Sequence, residues 1–285
     1  MEQRAHITSQ TRLVAVIGHP VRHSRSPLIH NAAFVAQGLD LVYLAFDVTE
    51  EQLPAAVAGL RALGALGANV TIPHKEAVLP LLDAVDATAE RVGAVNTIVR
   101  RGEDIIGYNT DVFGFLMALE RGWGRSPRGA TCLVLGAGGA ARAVVAALVA
   151  QGAAEILIRN RTMSRARDLC VAAAGWGSTP CRVVTDADLA LVADRLDLIV
   201  NCTSVGLGEG VKLSPLPVDT LRAHHVVMDL VYGRGPTPLL QQAKDKGCVV
   251  MDGLEMLVQQ AARSYELWTE RAAPLELMRA KAAGA

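Results

Sequence analysis

Lysine is scarce in this chain. Only five of its 28 cationic side chains are lysine, at positions 75, 212, 244, 246 and 281. The rest are arginine, which stays protonated and exchanges no protons near neutrality. Lys75 is the only lysine before position 212, so its retention is informative. An excess of charge of one sign is also lacking: Lys+Arg and Asp+Glu both count 28. No net field gathers nucleic acid or an anionic membrane, and an anionic ligand must be caught by a local site. There is no CxxC pair. The five cysteines (132, 170, 181, 202 and 248) are scattered, most of them in apolar strand-like runs. They read as buried free thiols in a reducing compartment, and no metal site is expected. Residues 1–12 lack the apolar core of a signal peptide, and no run of about 18 apolar residues occurs. The expectation is a soluble, cytoplasmic chain with no membrane span.

What is present is apolar content, 51% of 285 residues with a mean hydropathy of +0.28. At one domain per ~150 residues that length suggests two domains, each with a sizeable core. The pattern is of strands alternating with amphipathic helices, which predicts an α/β fold. Strands are expected over 13–17, 41–46 and 67–72, with helices over 27–37, 51–63 and 75–85. A strand pair, 95–100 and 105–108, turns over 101–104. A helix over 112–121 runs into a Gly/Pro/Ser-rich stretch, 122–129, which is the best linker in the chain. A second alternating series follows: strands over 131–135, 155–159, 196–202, 226–230 and 249–251, with helices over 140–151, 164–174 and 238–246. That alternation predicts a doubly wound parallel sheet. A last helix, opening at Gly253 and running beyond Trp268, carries an apolar stripe that has to be buried, and the first domain is the expected partner.

Gly136, Ala137, Gly138, Gly139, Ala140 and Ala141 give G-x-G-x-x-A between a buried strand and a helix. Gly136 permits the tight turn, Gly138 lets backbone approach a pyrophosphate, and Ala141 allows close helix–strand packing. The helix N-terminus offers free amides to the phosphates. The following strand should end in Asp or Glu if it held a free ribose 2′-OH. Here it ends in Asn160, Arg161 and Thr162, with Arg165 beyond and Glu155 at the opposite end. Two guanidinium groups suit a 2′-phosphate, so NADP is the expected cofactor; a helix start with solvated arginines is the alternative.

Ser24 and Ser26 stand two residues apart at a helix start. Ser26 before Pro27 reads as an N-cap, which leaves Ser24 unexplained unless both hydroxyls hold an anion. Asn69 and Thr71 share a strand face, and Lys75 opens the next helix, where the dipole disfavours a cation slightly. A solvated lysine is the alternative. Asp111 reads as another N-cap, and with Lys75 it offers an ion pair able to hold a substrate hydroxyl. A lysine acting as base must lose some pKa, which a nearby Asp opposes, so the acid–base roles stay open.

The runs IGHPVRHSRSP, GANVTIPHKEAV, GAVNTIV, GYNTD, VLGAGGAARAV, NRT, NCTSVGL, DLVY and DGLEMLVQQAA resemble the shikimate dehydrogenase family in order and spacing, over roughly 13–270. The resemblance implies a substrate-binding domain of 1–111 and 254–285, and a Rossmann-like NADP-binding domain of 112–253. By it, Ser24 and Ser26 bind the substrate carboxylate. Asn69, Thr71, Asn96, Asp111 and Gln260 hold ring hydroxyls, with Tyr232 nearby, and Lys75 and Asp111 form the catalytic pair. Thr203, Gly253 and Met256 approach the cofactor. The implied reaction is reversible reduction of 3-dehydroshikimate to shikimate with NADPH, by a monomer or homodimer whose partner is this small molecule. Where many family members read DGLGMLV this chain has Glu255, either a solvated helix-start residue or one charging the nicotinamide pocket. Alternatives are an enzyme acting on quinate or aminoshikimate, a folate-linked dehydrogenase of similar architecture, and a non-catalytic metabolite sensor. Intact Lys75 and Asp111 argue against the sensor.

Overall fold

The computed structural model describes residues 7–207, 213–233 and 235–284; Lys212 lies outside them. The chain divides into two compact units, Met1–Gly114 with Leu257–Ala285, and Phe115–Met256.

The first unit begins with β1 (Arg12–Gly18), whose last five residues are all buried. A parallel strand covered on both faces reads as an unbroken apolar run of this kind. Then come α1 (Ser26–Ala36), β2 (Leu41–Asp47), α2 (Leu53–Ala62) and β3 (Gly67–Val70). The helix expected over 75–85 does not form. Turns lead from Ile72 into a short 3-10 segment, Leu79–Leu81, then β4 (Ala84–Val85) and α3 (Ala87–Val92). Pro80 has no amide to donate one turn back, and Asp86 starts α3 afresh by accepting from the Thr88 and Ala89 amides at 3.3 and 2.9 Å. The hairpin of β5 (Thr97–Arg101) and β6 (Asp104–Tyr108) follows, then α4 (Asp111–Trp123), which extends into the expected linker. The mixed sheet has the order β2-β1-β3-β5-β6-β4. Strands β1, β2 and β3 are mutually parallel, and β5 is antiparallel to β3 and β6. Ile17, Val70, Ile98 and Ile105 pack with Val57 of α2 and Ala89 of α3 in its core.

The second unit runs β7 (Thr131–Leu135), α5 (Gly139–Ala150), β8 (Glu155–Arg159), α6 (Met163–Ala174), β9 (Cys181–Val183), α7 (Asp186–Val192), β10 (Leu198–Asn201), β11 (Val226–Asp229), α8 (Pro238–Asp245) and β12 (Val249–Asp252). All six strands are parallel, ordered β12-β11-β10-β7-β8-β9. The order reverses between β7 and β10, so a crevice opens at their carboxyl ends, where open α/β sheets bind ligands.

The chain ends with α9 (Leu254–Thr269) and α10 (Leu275–Ala283), and from Leu257 onward it belongs to the first unit. The apolar stripe is buried there as expected. Trp268 Nε1 donates to the Ile98 carbonyl at 2.9 Å, and the Tyr265 hydroxyl to Gln37 at 2.8 Å. Gly67 makes room: a Cβ there would lie 2.4 Å from the Trp268 indole nitrogen and 2.2 Å from the Ile98 oxygen.

Candidate active site

In the first unit, the loops after β1 and β3 leave neighbouring parallel strands at the same end, Ile17 pairing with Val70. Asn96 enters β5 at that end, and Asp111 follows the end of β6, Thr97 facing both Asn69 and Tyr108. The topology therefore gathers Ser24, Ser26, Lys75, Asn96 and Asp111 at one end of the central strands.

Side-chain geometry then joins four of the expected residues directly. Lys75 Nζ donates to Asp111 Oδ2 at 2.5 Å, with side-chain exposures of 14% and 6%. Asn96 Nδ2 donates to Asp111 Oδ1 at 2.9 Å and lies 3.2 Å from Gln260 Oε1. Each oxygen of the Asp111 carboxylate thus has its own partner, and the group cannot turn without losing one. Lys75 stands in a turn, not at a helix start, so the expected dipole penalty does not arise. Nor does Asp111 cap its helix. Asn109 does, its Oδ1 accepting from the Asp111 and Val112 amides at 3.1 and 3.3 Å, which leaves the Asp111 carboxylate for Lys75.

Asn69 belongs to the same buried network at one remove. Its Nδ2 contacts Thr97 and Ser264 hydroxyls, each at 3.1 Å, and its Oδ1 accepts from the Tyr43 hydroxyl at 2.7 Å. Thr71 lies just past β3, half-buried, its amide donating to the Ile17 carbonyl at 3.0 Å. Thr97 and Thr110 stood beside Asn96 and Asp111 in their motifs without a role of their own, and Tyr43 and Ser264 were not singled out. Of these two, Ser264 carried a signal, one helical turn beyond Gln260 on the same face. The Ser24–Ser26 pair also departs from expectation. Helix α1 starts at Ser26 itself, without a side-chain cap from Arg25, and the Ser26 amide donates to Ser24 Oγ at 3.3 Å. Ser24, not Ser26, supports the helix start.

In the second unit Gly136 has φ +112°, a conformation that favours glycine. Gly138 precedes α5, and a Cβ there would meet no atom within 4 Å. Packing alone gives no reason for glycine at 138, and the open space leaves the loop backbone accessible to close approach. Ala137 is buried, and Gly139 and Ala140 open the helix whose free amides face the loop. Thr203 follows β10 at the reversal point, 3.2 Å from where a Gly136 Cβ would stand. Its amide and hydroxyl both donate to Asn201 Oδ1, at 3.0 and 2.7 Å, and Asn201 Nδ2 donates to Asp229 at 2.8 Å. Burial raises the Asp229 carboxyl above its ordinary range, against hydrogen bonds from Thr237, the Val231 amide and Asn201. Asn201 and Asp229 are thus supports for the Thr203 loop, which the sequence alone did not reveal.

Past β8, Asn160 Nδ2 donates to the Thr162 carbonyl at 2.8 Å, folding the turn that presents Arg161 and Arg165, both exposed. Arg159 is spoken for, bonded to Asp186 and to the Pro215 carbonyl. Glu155, at the far end of the strand, pairs with Arg182 and Arg195. The turn itself, residues 160–165, carries no carboxylate side chain. Tyr232 is half-buried in this unit and Met256 is buried. Gly253 has a structural reason of its own, since a Cβ there would fall 2.4 Å from the Leu230 carbonyl oxygen. Glu255 is partly buried: its side chain is 18% exposed and 3.6 Å from Arg121 Nε.

Three family models match in chain order: a shikimate dehydrogenase substrate binding domain over residues 16–98, shikimate / quinate 5-dehydrogenase over 122–207, and a shikimate 5′-dehydrogenase C-terminal domain over 253–282. The NADP(+) shikimate dehydrogenase of Moorella thermoacetica is 50% identical over 275 residues, 95% of this chain and 92% of that one. The chain belongs to the shikimate dehydrogenase family. Among solved members, a shikimate dehydrogenase in complex with NADP+ superposes with a TM-score of 0.90 at 38% identity, covering 98% of this chain and 97% of that one. The Thermus thermophilus shikimate 5-dehydrogenase, in complex with NADP(H) and shikimate, gives 0.85 at 40% identity, covering 95% and 98%. The family's mixed and parallel six-stranded sheets are both present here. Among the described residues no helix is long and apolar enough to cross a membrane.

Proposed function

We propose that this chain catalyses the reversible NADP-dependent reduction of 3-dehydroshikimate to shikimate, its first unit taking the substrate and its second the dinucleotide. The observation that carries the reading is the Lys75–Asp111 pair, held by Asn96 beside Gln260 at the strand ends where Ser24 and Ser26 also emerge. NADPH, when bound, would supply the hydride that reduces the ring carbonyl carbon. The oxygen then carries negative charge, and Lys75 Nζ gives it a proton, closing the balance to an alcohol. Asp111 keeps the ammonium oriented and stabilises its charge while it waits. In the oxidative direction the same lysine, deprotonated, accepts the hydroxyl proton.

Ser24 and Ser26 hydroxyls, at the N-terminus of α1, suit the substrate carboxylate. Asn69, Thr71, Asn96 and Gln260 supply the amide and hydroxyl groups a polyhydroxylated ring requires, with Tyr232 contributing from its own loop. The Gly136–Gly138 turn with Ala137, Gly139 and Ala140 suits the pyrophosphate, Asn160, Arg161, Thr162 and Arg165 the 2′-phosphate, and Thr203, Gly253 and Met256 the nicotinamide end. Pairing with Arg121 offsets the charge of Glu255, which weakens any reading of it as an anion aimed at the nicotinamide. The test is a panel of shikimate, quinate and aminoshikimate, each with NADP+ and NAD+. Highest kcat/KM for shikimate with NADP+ is expected, and turnover best on another pair would overturn the assignment.

A further inference from the structure

The fold brings together two cysteines that lie eleven residues apart. Cys170 sits in the second half of α6, and Cys181 opens β9, the outer strand of its sheet. Their sulfurs are 2.8 Å apart, the Cys181 thiol donating to Cys170. A disulfide needs about 2.05 Å between sulfurs, so a movement of under ~1 Å closes the pair. Both residues are half-buried, within reach of a small reagent. Cys132 and Cys248 differ: both are buried against backbone carbonyls of Ala130 and Arg222, and burial raises their thiols above the ordinary range.

We infer that Cys170 and Cys181 are a reversible oxidation site that forms an intramolecular disulfide with hydrogen peroxide as oxidant. The hydrogen bond from Cys181 holds the Cys170 thiol below its ordinary range and Cys181 above it, so Cys170 is the attacking sulfur. Its thiolate displaces hydroxide from peroxide and becomes a sulfenic acid. That removes the charge that had held the Cys181 proton. The Cys181 sulfur then attacks the Cys170 sulfur, the S–O bond breaks and water leaves. Two thiols lose two electrons and two protons, and one peroxide becomes two waters. The bridge ties α6, whose start carries Arg165, to the edge of the sheet, and a closed loop of this length stabilises chiefly by restricting the unfolded chain.

Trypsin gives a direct test on the wild-type protein, because cleavage after Arg167 and Arg182 leaves both cysteines in one peptide, residues 168–182. After brief treatment with hydrogen peroxide and then iodoacetamide, this peptide should be unalkylated and two hydrogen atoms lighter than the dithiol. Dithiothreitol should restore two alkylation sites. The bridged protein should also melt about 5 °C higher than the reduced one, a rise missing in Cys181→Ser under the same treatment. A peptide still carrying two alkyl groups would overturn the inference, as would oxidation of Cys170 alone with Cys181 alkylated.

Discussion

His30 is fully buried, stacked on the Tyr43 ring at a centroid distance of 4.5 Å and edge-on to Trp268 at 5.2 Å, and among the described residues neither ring nitrogen has a hydrogen-bond partner. Burial pushes its pKa down to about 3 from an ordinary 6.5. Between those values the unfolded chain binds one more proton than the folded one. Stability therefore falls as pH drops from 6.5 towards 3, by about 1.4 kcal/mol per pH unit, and that loss is complete below 3. Urea unfolding at pH 6.5 and 4.5 checks this: wild type should lose about 2–3 kcal/mol more than His30→Leu over the interval. Equal losses would show that His30 is not held neutral. The serines make a second test. Ser24→Ala removes the bond to the Ser26 amide and should cost about 0.5 kcal/mol of stability, whereas Ser26→Ala loses no cap. Both should raise KM for shikimate. A lower melting temperature for Ser26→Ala alone would reverse this assignment. The two hydroxyls were legible as a pair, but spacing does not say which one precedes the first helical residue. Asp111 was misread for the same reason, since the cap came from Asn109, two places earlier.

At the scale of elements, the turn after β8 and the turn before α9 carry different burdens. Exposed Arg161 and Arg165 sit where a carboxylate would select a free ribose. A hydrogen bond to a charged group contributes about 1.5–3 kcal/mol, so Arg161→Ala should weaken NADP+ binding about 10–150-fold and leave NAD+ nearly unchanged. Isothermal titration with both cofactors checks it, and equal losses would make Arg161 structural. Gly253 answers to packing. An added methyl would press on the Leu230 carbonyl, which is backbone and cannot swing aside, so Gly253→Ala should cost about 1–3 kcal/mol in denaturant unfolding. A change within ~0.5 kcal/mol would mean that the turn has slack. The long strands and helices were legible because their apolar period is sustained. Strand β9, three residues at a sheet edge, and α7, seven residues started by the Thr185–Asp188 capping box, present too little pattern. The segment after Lys75 looked helical by period, and Pro80 with the Asp86 cap broke it up.

For the whole molecule, the central fact is that residues 75, 96, 111 and 260 meet in one hydrogen-bonded group. Lys75 stood out by its rarity, and Asp111 read first as an N-cap and only then as an ion-pair partner for it. No local pattern could show that Asn96 fixes one oxygen of Asp111 while Lys75 takes the other, because that depends on three strand ends and a helix returning from the far end of the chain. If Lys75 transfers the proton, its removal must slow turnover far more than it weakens binding. The decisive measurement is kcat for Lys75→Ala with shikimate and NADP+, set beside the Kd for shikimate. A fall in kcat of about 10²–10⁴-fold is expected, with a Kd changed several-fold at most, since Ser24, Ser26 and Gln260 remain. A near-native kcat with only a raised KM would contradict it and reduce Lys75 to a binding residue.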